Sequence, residues 1–256
     1  MSTESDSDVP WSSIPSAPRL VRLSVPYAQP LWTYVILALN VAVFAASSLI
    51  GRGLAFALGA KVNQAIVAGQ FWRLGTALFL HADLLHLGFN GYALWIFGPQ
   101  VEKPYGRLRF LLVYFISGLA ASAFSFLFTP AVAVGASGAI FGLIGATGAY
   151  LYRYRHRLLM GRRRLGNLIG IVAYNLLYGF FSPWVDNAAH IGGLLTGLVL
   201  GWFLSPRYEV AAVDPTRPLQ VVDRVSLKQW LLGILLVSLG IALVLSGGFI
   251  RWGGLR

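Results

Sequence analysis

Residues 135–152 read GASGAIFGLIGATGAYLY, and residues 189–204 read AHIGGLLTGLVLGWFL. Both runs are apolar and laced with glycine, and each carries one reactive-type side chain at its head, Ser137 and His190. In the first, Gly138 and Gly142 stand four apart and are followed by Gly145, Ala146 and Ala149. In the second, Ala189, Gly193, Gly197 and Gly201 repeat every four residues. That spacing places the small residues on one helix face, and in lipid such faces let two backbones approach closely. Ser137 precedes its stripe by one residue and His190 adjoins Ala189, so a packed seam would bring hydroxyl and imidazole together. Polar groups in a bilayer are costly and functional by default, and these two are the nucleophile and base of serine acyl-transfer chemistry.

The rest of the chain sets the solvent. It is 57% hydrophobic and 11% charged, with a mean hydropathy of +0.68, far from the range of a soluble domain. A helix crosses a bilayer in about 20 residues. Seven such segments are expected, over 31–50, 84–100, 107–128, 134–152, 165–181, 186–204 and 229–249, which makes the fold an all-α polytopic membrane bundle. Cysteine is absent, excluding disulfides, thiolate metal sites and a cysteine nucleophile. Residues 1–30, rich in Ser, Thr, Asp and Pro, read as a mobile tail without the pattern of a cleaved signal peptide. Leu31–Ile50 is therefore expected as a retained first span. Residues 205–228 read as a polar linker before an additional C-terminal helix, 229–249. The partly apolar stretch from Gly51 to Asp83, with Phe71-Trp72-Arg73, suits the membrane interface.

The net charge of +11 would fit nucleic acid, but its distribution argues against that partner. With the N-terminus cytoplasmic, the inner segments hold Arg19, Arg22, Lys103, Arg107 and Arg109, then Arg153, Arg155, Arg157, Arg162, Arg163 and Arg164. Arg207, Arg217, Arg224 and Lys228 complete 15 of the 20 basic residues. The bias fits the positive-inside rule, with the N-terminus cytoplasmic and the C-terminus outside a cell membrane. The Arg153–Arg164 cluster reads as a topology anchor touching anionic lipid.

In that orientation His86 and Asn90 begin the second span, Ser137 the fourth and His190 the sixth, all near the outer face. Ser137 to Tyr152 covers about 22 Å of helix, so in a core about 30 Å thick the serine lies roughly 5–10 Å below the outer surface. The uncharged segment Thr129–Gly135 must then descend without helical structure, which is tolerated only where protein or a wet cavity covers it. A water-filled outer cavity with Ser137 and His190 at its floor is expected.

Trp72-Arg73, His81, His86-x-x-x-Asn90, Gly135-Ala136-Ser137-Gly138 and Ala189-His190-Ile191-Gly192-Gly193-x-x-x-Gly197 together resemble the signature of the rhomboid intramembrane serine proteases; Val101-Glu102 is similar as well. The likeness covers about 31–204, a six-helix core to which the seventh span is added. It implies a serine endopeptidase in which Ser137 is the nucleophile and His190 the general base, with no third acidic member, no cofactor and no metal. It further implies that His86 and Asn90, one turn apart on one face, help the Ser137 backbone N–H to bind the oxyanion. Trp72, Arg73, His81, Gly135, Gly138, Phe141, Gly193 and Gly197 are expected to support the site. Phe141 stands where many family members carry Tyr, and it can stack on the imidazole without offering a hydroxyl. The expected partners are the bilayer and single-span membrane substrates.

An inactive homologue that binds membrane clients is the alternative, though it should lack the serine or the histidine. A transporter would need paired repeats or a mid-membrane charge. A metalloprotease would need His-Glu-x-x-His, and His81 and His86 are five apart. A paired-aspartate protease would need two acids within the spans.

Overall fold

The computed structural model describes residues 27–211 and 220–254, so the expected tail lies almost wholly outside the described residues. In chain order, α1 (Leu31–Ile50) is followed by three short helices, α2 (Arg52–Gly59), α3 (Asn63–Val67) and α4 (Arg73–Thr76), and a 3-10 turn at Ala77–Phe79. Six long helices follow: α5 (Leu84–Tyr105), α6 (Arg107–Phe128), α7 (Ser137–Tyr154), α8 (Gly161–Phe181), α9 (Asn187–Leu204) and α10 (Leu227–Gly253). Each expected span coincides with one of the seven long helices. Of these, α1, α6, α9 and α10 are each long and apolar enough to cross a membrane by themselves. The fold is a helical membrane bundle.

Helix α7 is its centre. Of its 18 residues, the run from Gly138 to Ala149 is buried throughout, enclosed by α5, α6, α8 and α9. A side chain at Gly193 would strike the Gly138 carbonyl, one at Gly197 the Gly142 carbonyl, and one at Gly201 the Ala146 Cα. Each turn of α9 therefore rests backbone to backbone on the matching turn of α7. On the opposite side Gly142 accommodates Ser117 and Gly138 accommodates Ala121, both from α6. Because lipid tails solvate apolar side chains as well as protein does, this close fit is what holds α7 between α6 and α9.

Several boundaries differ from those expected. Helix α5 runs on through Pro99 and Pro104 to Tyr105 and stops at Gly106, whose φ is 81°. Neighbouring groups stabilise the extension: the Tyr208 hydroxyl donates to the Pro104 carbonyl (2.7 Å), and the Tyr105 hydroxyl donates to Ala146 O (3.1 Å) and Gly201 O (2.9 Å), bridging α7 and α9. Helix α8 starts at Gly161, so Arg162–Arg164 form its first turn instead of lying in a loop. Helix α7 starts at Ser137, three residues later than expected.

The segment expected as a plain linker carries a two-stranded antiparallel ribbon, β1 (Tyr208–Ala211) and β2 (Gln220–Asp223). Asp223 of this ribbon pairs with Arg109 at 2.6 Å, and the Arg109 guanidinium lies 4.3 Å from the Trp230 ring. The ribbon is thus tied to the starts of α6 and α10. An alternating pattern of only four residues per strand was too short to stand out from a polar linker.

Candidate active site

The chain enters α7 through a non-helical stretch, residues 129–136, as its lack of charge and its proline suggested. Halfway along, Ala133 makes an antiparallel bridge with Lys61, through Lys61 N to Ala133 O (3.0 Å) and Ala133 N to Lys61 O (3.1 Å). Gly135 then donates its N–H to Ala77 O (2.8 Å) and turns with φ 122°, which favours glycine. Ser137 follows as the first helical residue. Its backbone N–H is one of the first-turn donors that no intrahelical carbonyl can satisfy.

His190 lies in the first turn of α9, 9% exposed. Its Nε2 is 3.0 Å from Ser137 Oγ. Phe141, one turn beyond the serine, stacks on the imidazole with ring centres 4.1 Å apart and planes 9° from parallel. The ring alone therefore suffices for the stack, with no hydroxyl required. The Asp186 side chain takes no part in the pair. It caps α9 by accepting from Ala189 N (3.0 Å) and also accepts from the hydroxyls of Thr129 (2.8 Å) and Ser125. Ser137 Oγ and His190 Nε2 thus face each other beside the Phe141 ring.

His86 and Asn90 project from the first turns of α5 toward the same place. A Cβ built on Gly135 would lie 2.7 Å from His86 Nε2 and 3.8 Å from Asn90 Nδ2. Glycine at 135 thus lets both donors sit against the backbone leading into Ser137. Asp83 caps α5 by accepting from His86 N (2.8 Å), and Asn90 Nδ2 donates to His86 O (2.9 Å). His81 is buried with its ring centre 5.2 Å from that of His86 in an edge contact, and Nδ1 is 3.2 Å from Phe79 O. Burial, then the neighbouring His86, pushes the His81 imidazole down to about 4.

Trp72 and Arg73 stand farther away. Arg73 is buried and holds the end of α2 through Ala60 O (2.9 Å) and Ala57 O, with Nε donating to Gln70 Oε1 (2.7 Å). Trp72 is exposed and donates to Leu58 O (3.1 Å). Both order the interfacial segment and neither touches Ser137 or His190.

Sequence reasoning missed Lys61. It is 1% exposed, and its Nζ donates to Asn63 Oδ1 (3.0 Å), Thr129 O (2.8 Å) and Ala131 O (2.7 Å). Burial lowers its ammonium to about 8, opposed by attraction to Asp186. Together with the backbone bridge, this side chain fixes the loop that presents the serine. A lysine in an interfacial segment carries no sign that it will turn inward to collect carbonyls 70 residues away. A cavity of about 40 Å³ beside Ser137 is lined in part by Lys61, Ser122, Ser125 and Asp186. Its wall is mostly apolar apart from these groups, it has room for water, and His190 does not line it.

Residues 68–207 match the family model described as the Rhomboid domain. The chain is 42% identical over 174 residues to the rhomboid protease GluP of Bacillus subtilis, covering 66% of this chain and 34% of that relative. It is 44% identical over 153 residues to RHOMBOID-like protein 6, mitochondrial, of Arabidopsis thaliana, covering 57% and 48%. It is 36% identical over 166 residues to the rhomboid protease AarA of Providencia stuartii, covering 56% and 59%. The match spans between about a third and three fifths of the length of these curated relatives. With more than half its length matched by that domain and its helices packed as a bundle, the chain belongs to the rhomboid family and is a multi-pass membrane protein.

Proposed function

We propose that this protein is an intramembrane serine endopeptidase that cleaves transmembrane segments of other membrane proteins near the outer face of a cell membrane. The observation that carries the reading is the 3.0 Å approach of His190 Nε2 to Ser137 Oγ under the stacked Phe141 ring. In the reaction, Ser137 Oγ attacks the scissile carbonyl as His190 Nε2 takes its proton. His190 then returns that proton to the leaving amine, and water, activated the same way, releases the acyl group. Negative charge on the carbonyl oxygen is met by the Ser137 N–H and by His86 and Asn90. Removing one such donor costs a serine protease roughly 3–4 kcal/mol.

A helical peptide bond is shielded by its own hydrogen bonds, so the substrate must unwind before it reaches the serine. Single-span proteins with glycine, proline or other weak helix formers near the outer end of the span are the fitting clients. The family resemblance adds a small residue before the scissile bond. The narrow cavity beside Ser137 supports that preference.

A serine-directed fluorophosphonate separates this reading from an inactive client-binding homologue. The purified full chain in detergent should be labelled at Ser137, with labelling lost in Ser137→Ala and strongly reduced in His190→Ala. It should also cut a fluorescent single-span substrate, with products that map to the outer end of the span. Labelling that survives Ser137→Ala, or cuts clustered at the cytoplasmic end, would sink the proposal.

A further inference from the structure

Helix α8 meets α9 near one end and α7 near the other, and an apolar gap remains along its side. Near its C-terminus Gly179 packs against Asn187 and Val185, and Asn187 Nδ2 donates to Leu176 O (2.9 Å), pinning α8 to the start of α9. Toward its N-terminus α8 packs on α7, where Leu168 lies 3.5 Å from the place a Cβ of Gly148 would take, and beside this contact a gap remains between α7, α8 and α9. The gap is a cleft of about 590 Å³ walled by Gly148 and Tyr152 of α7, Leu165 and Val172 of α8, and Leu198 and Trp202 of α9. Its walls are apolar, and it lies at the far end of α7 from Ser137.

Arginines stand on the helices that frame this cleft. Leu165, Ile169 and Val172 line it at a spacing of four and three residues, and Arg162 precedes Leu165 by three on the same face. Arg164 lies one turn before Leu168, another lining residue. Both arginines are exposed. Two rim aromatics are covered by guanidinium groups as well: Arg153 lies 4.3 Å from the Trp202 ring and Arg155 4.1 Å from the Tyr152 ring.

We propose that the cleft is a binding site for an anionic phospholipid, with an acyl chain between α8 and the α7–α9 pair and the phosphate held by Arg162 and Arg164. Charge decides the occupant: a dry apolar slot takes a hydrocarbon chain, and clustered arginines at its mouth select a net negative headgroup. The bound chain would set how far α8 stands from the core.

Native mass spectrometry of the full chain, stripped of lipid and titrated in detergent, tests this independently of any protease activity. Dioleoyl phosphatidylglycerol should bind in preference to dioleoyl phosphatidylcholine. Glycerol phosphate, supplying the headgroup chemistry alone, should not compete. The double variant Arg162→Ala/Arg164→Ala should weaken phosphatidylglycerol binding by about thirtyfold, from the usual contribution of a basic residue near anionic lipid. Gly148→Ala, whose Cβ would have ordinary contacts at 3.5 Å and 3.7 Å, should bind as the native chain does. Gly148→Leu, and from the opposite wall Val172→Phe, should fill the slot and abolish binding while the far-UV circular dichroism stays native. Equal binding of the two lipids, competition by glycerol phosphate, unchanged binding in the arginine variant, or retention of lipid by both filled variants would overturn the proposal.

Discussion

Glycines of one composition serve different ends in this bundle, and only their neighbours tell them apart. Gly193 and Gly197 face backbone carbonyls of α7, whereas Gly170 of α8 has no atom within 4 Å of where its Cβ would lie. We expect Gly197→Ala to lower stability by roughly 1–3 kcal/mol through overpacking against backbone. Gly170→Ala should raise it by about 0.5–1 kcal/mol by removing glycine from a helix interior. Thermal midpoints in one detergent check both, and equal shifts would refute the distinction. His81 supplies a second prediction. Its folded imidazole titrates near 4, against about 6.5 in an unfolded chain. Between those values the unfolded state binds more protons, so this contribution to stability is full above pH 6.5 and is lost as pH falls toward 4. The midpoint of the native chain should fall between pH 7 and pH 5, and the fall should be shallower in His81→Gln. Matching slopes would remove His81 from the acid response. The stripes were legible because their spacing is local, and Ser137 and His190 stand at their heads. Lys61 was not, because the carbonyls it binds lie 68 and 70 residues away in the chain.

Some helix ends in this molecule are capped by other elements. Helix α1 begins after Pro30 with no side-chain cap of its own. Instead, the Glu102 carboxylate of α5 accepts from Trp32 N and Thr33 N (each 2.8 Å) and from the Thr33 hydroxyl (2.7 Å). At the other end of the bundle, the last carbonyls of α6 and the one just past it are collected by two separate elements. Lys61 reaches the Thr129 carbonyl just past the helix, Trp252 Nε1 donates to Phe126 O (2.5 Å), and Arg251 donates to Leu127 O (3.0 Å). Helix α10, beyond the matched domain, is thereby joined to the turn from which residues 129–136 descend to Ser137. The double variant Arg251→Ala/Trp252→Phe should cost roughly 1–3 kcal/mol, about one hydrogen bond per lost donor. It should also expose the 129–136 segment to proteolysis. An unchanged midpoint and unchanged cleavage would show that α10 only abuts α6.

Orientation belongs to the molecule as a whole. The absence of cysteine makes it directly measurable. Leu159, in the turn between α7 and α8, is 86% exposed, and Trp184, between α8 and α9, is 93% exposed. From the basic bias we propose that the first turn lies inside and the second outside. A membrane-impermeant maleimide applied to intact cells should therefore label Trp184→Cys and spare Leu159→Cys until the cells are opened. The reverse pattern would invert the topology and, with it, the face at which Ser137 and His190 lie.

By itself the sequence determined the solvent, the seven long helices, the α7–α9 seam and the identity of the paired serine and histidine. All of these are written in local periodicity and composition. In a bilayer the backbone must satisfy itself, so a long apolar run has almost no choice but helix. The tertiary structure alone decided where α5, α7 and α8 begin or end, the ribbon between α9 and α10, the capping of α1 by Glu102 and the inward turn of Lys61. It also decided that an apolar cleft opens between α7, α8 and α9. Each of these depends on a polar group finding a partner, or an apolar face finding a neighbour, tens of residues away. No local pattern encodes which partner that will be.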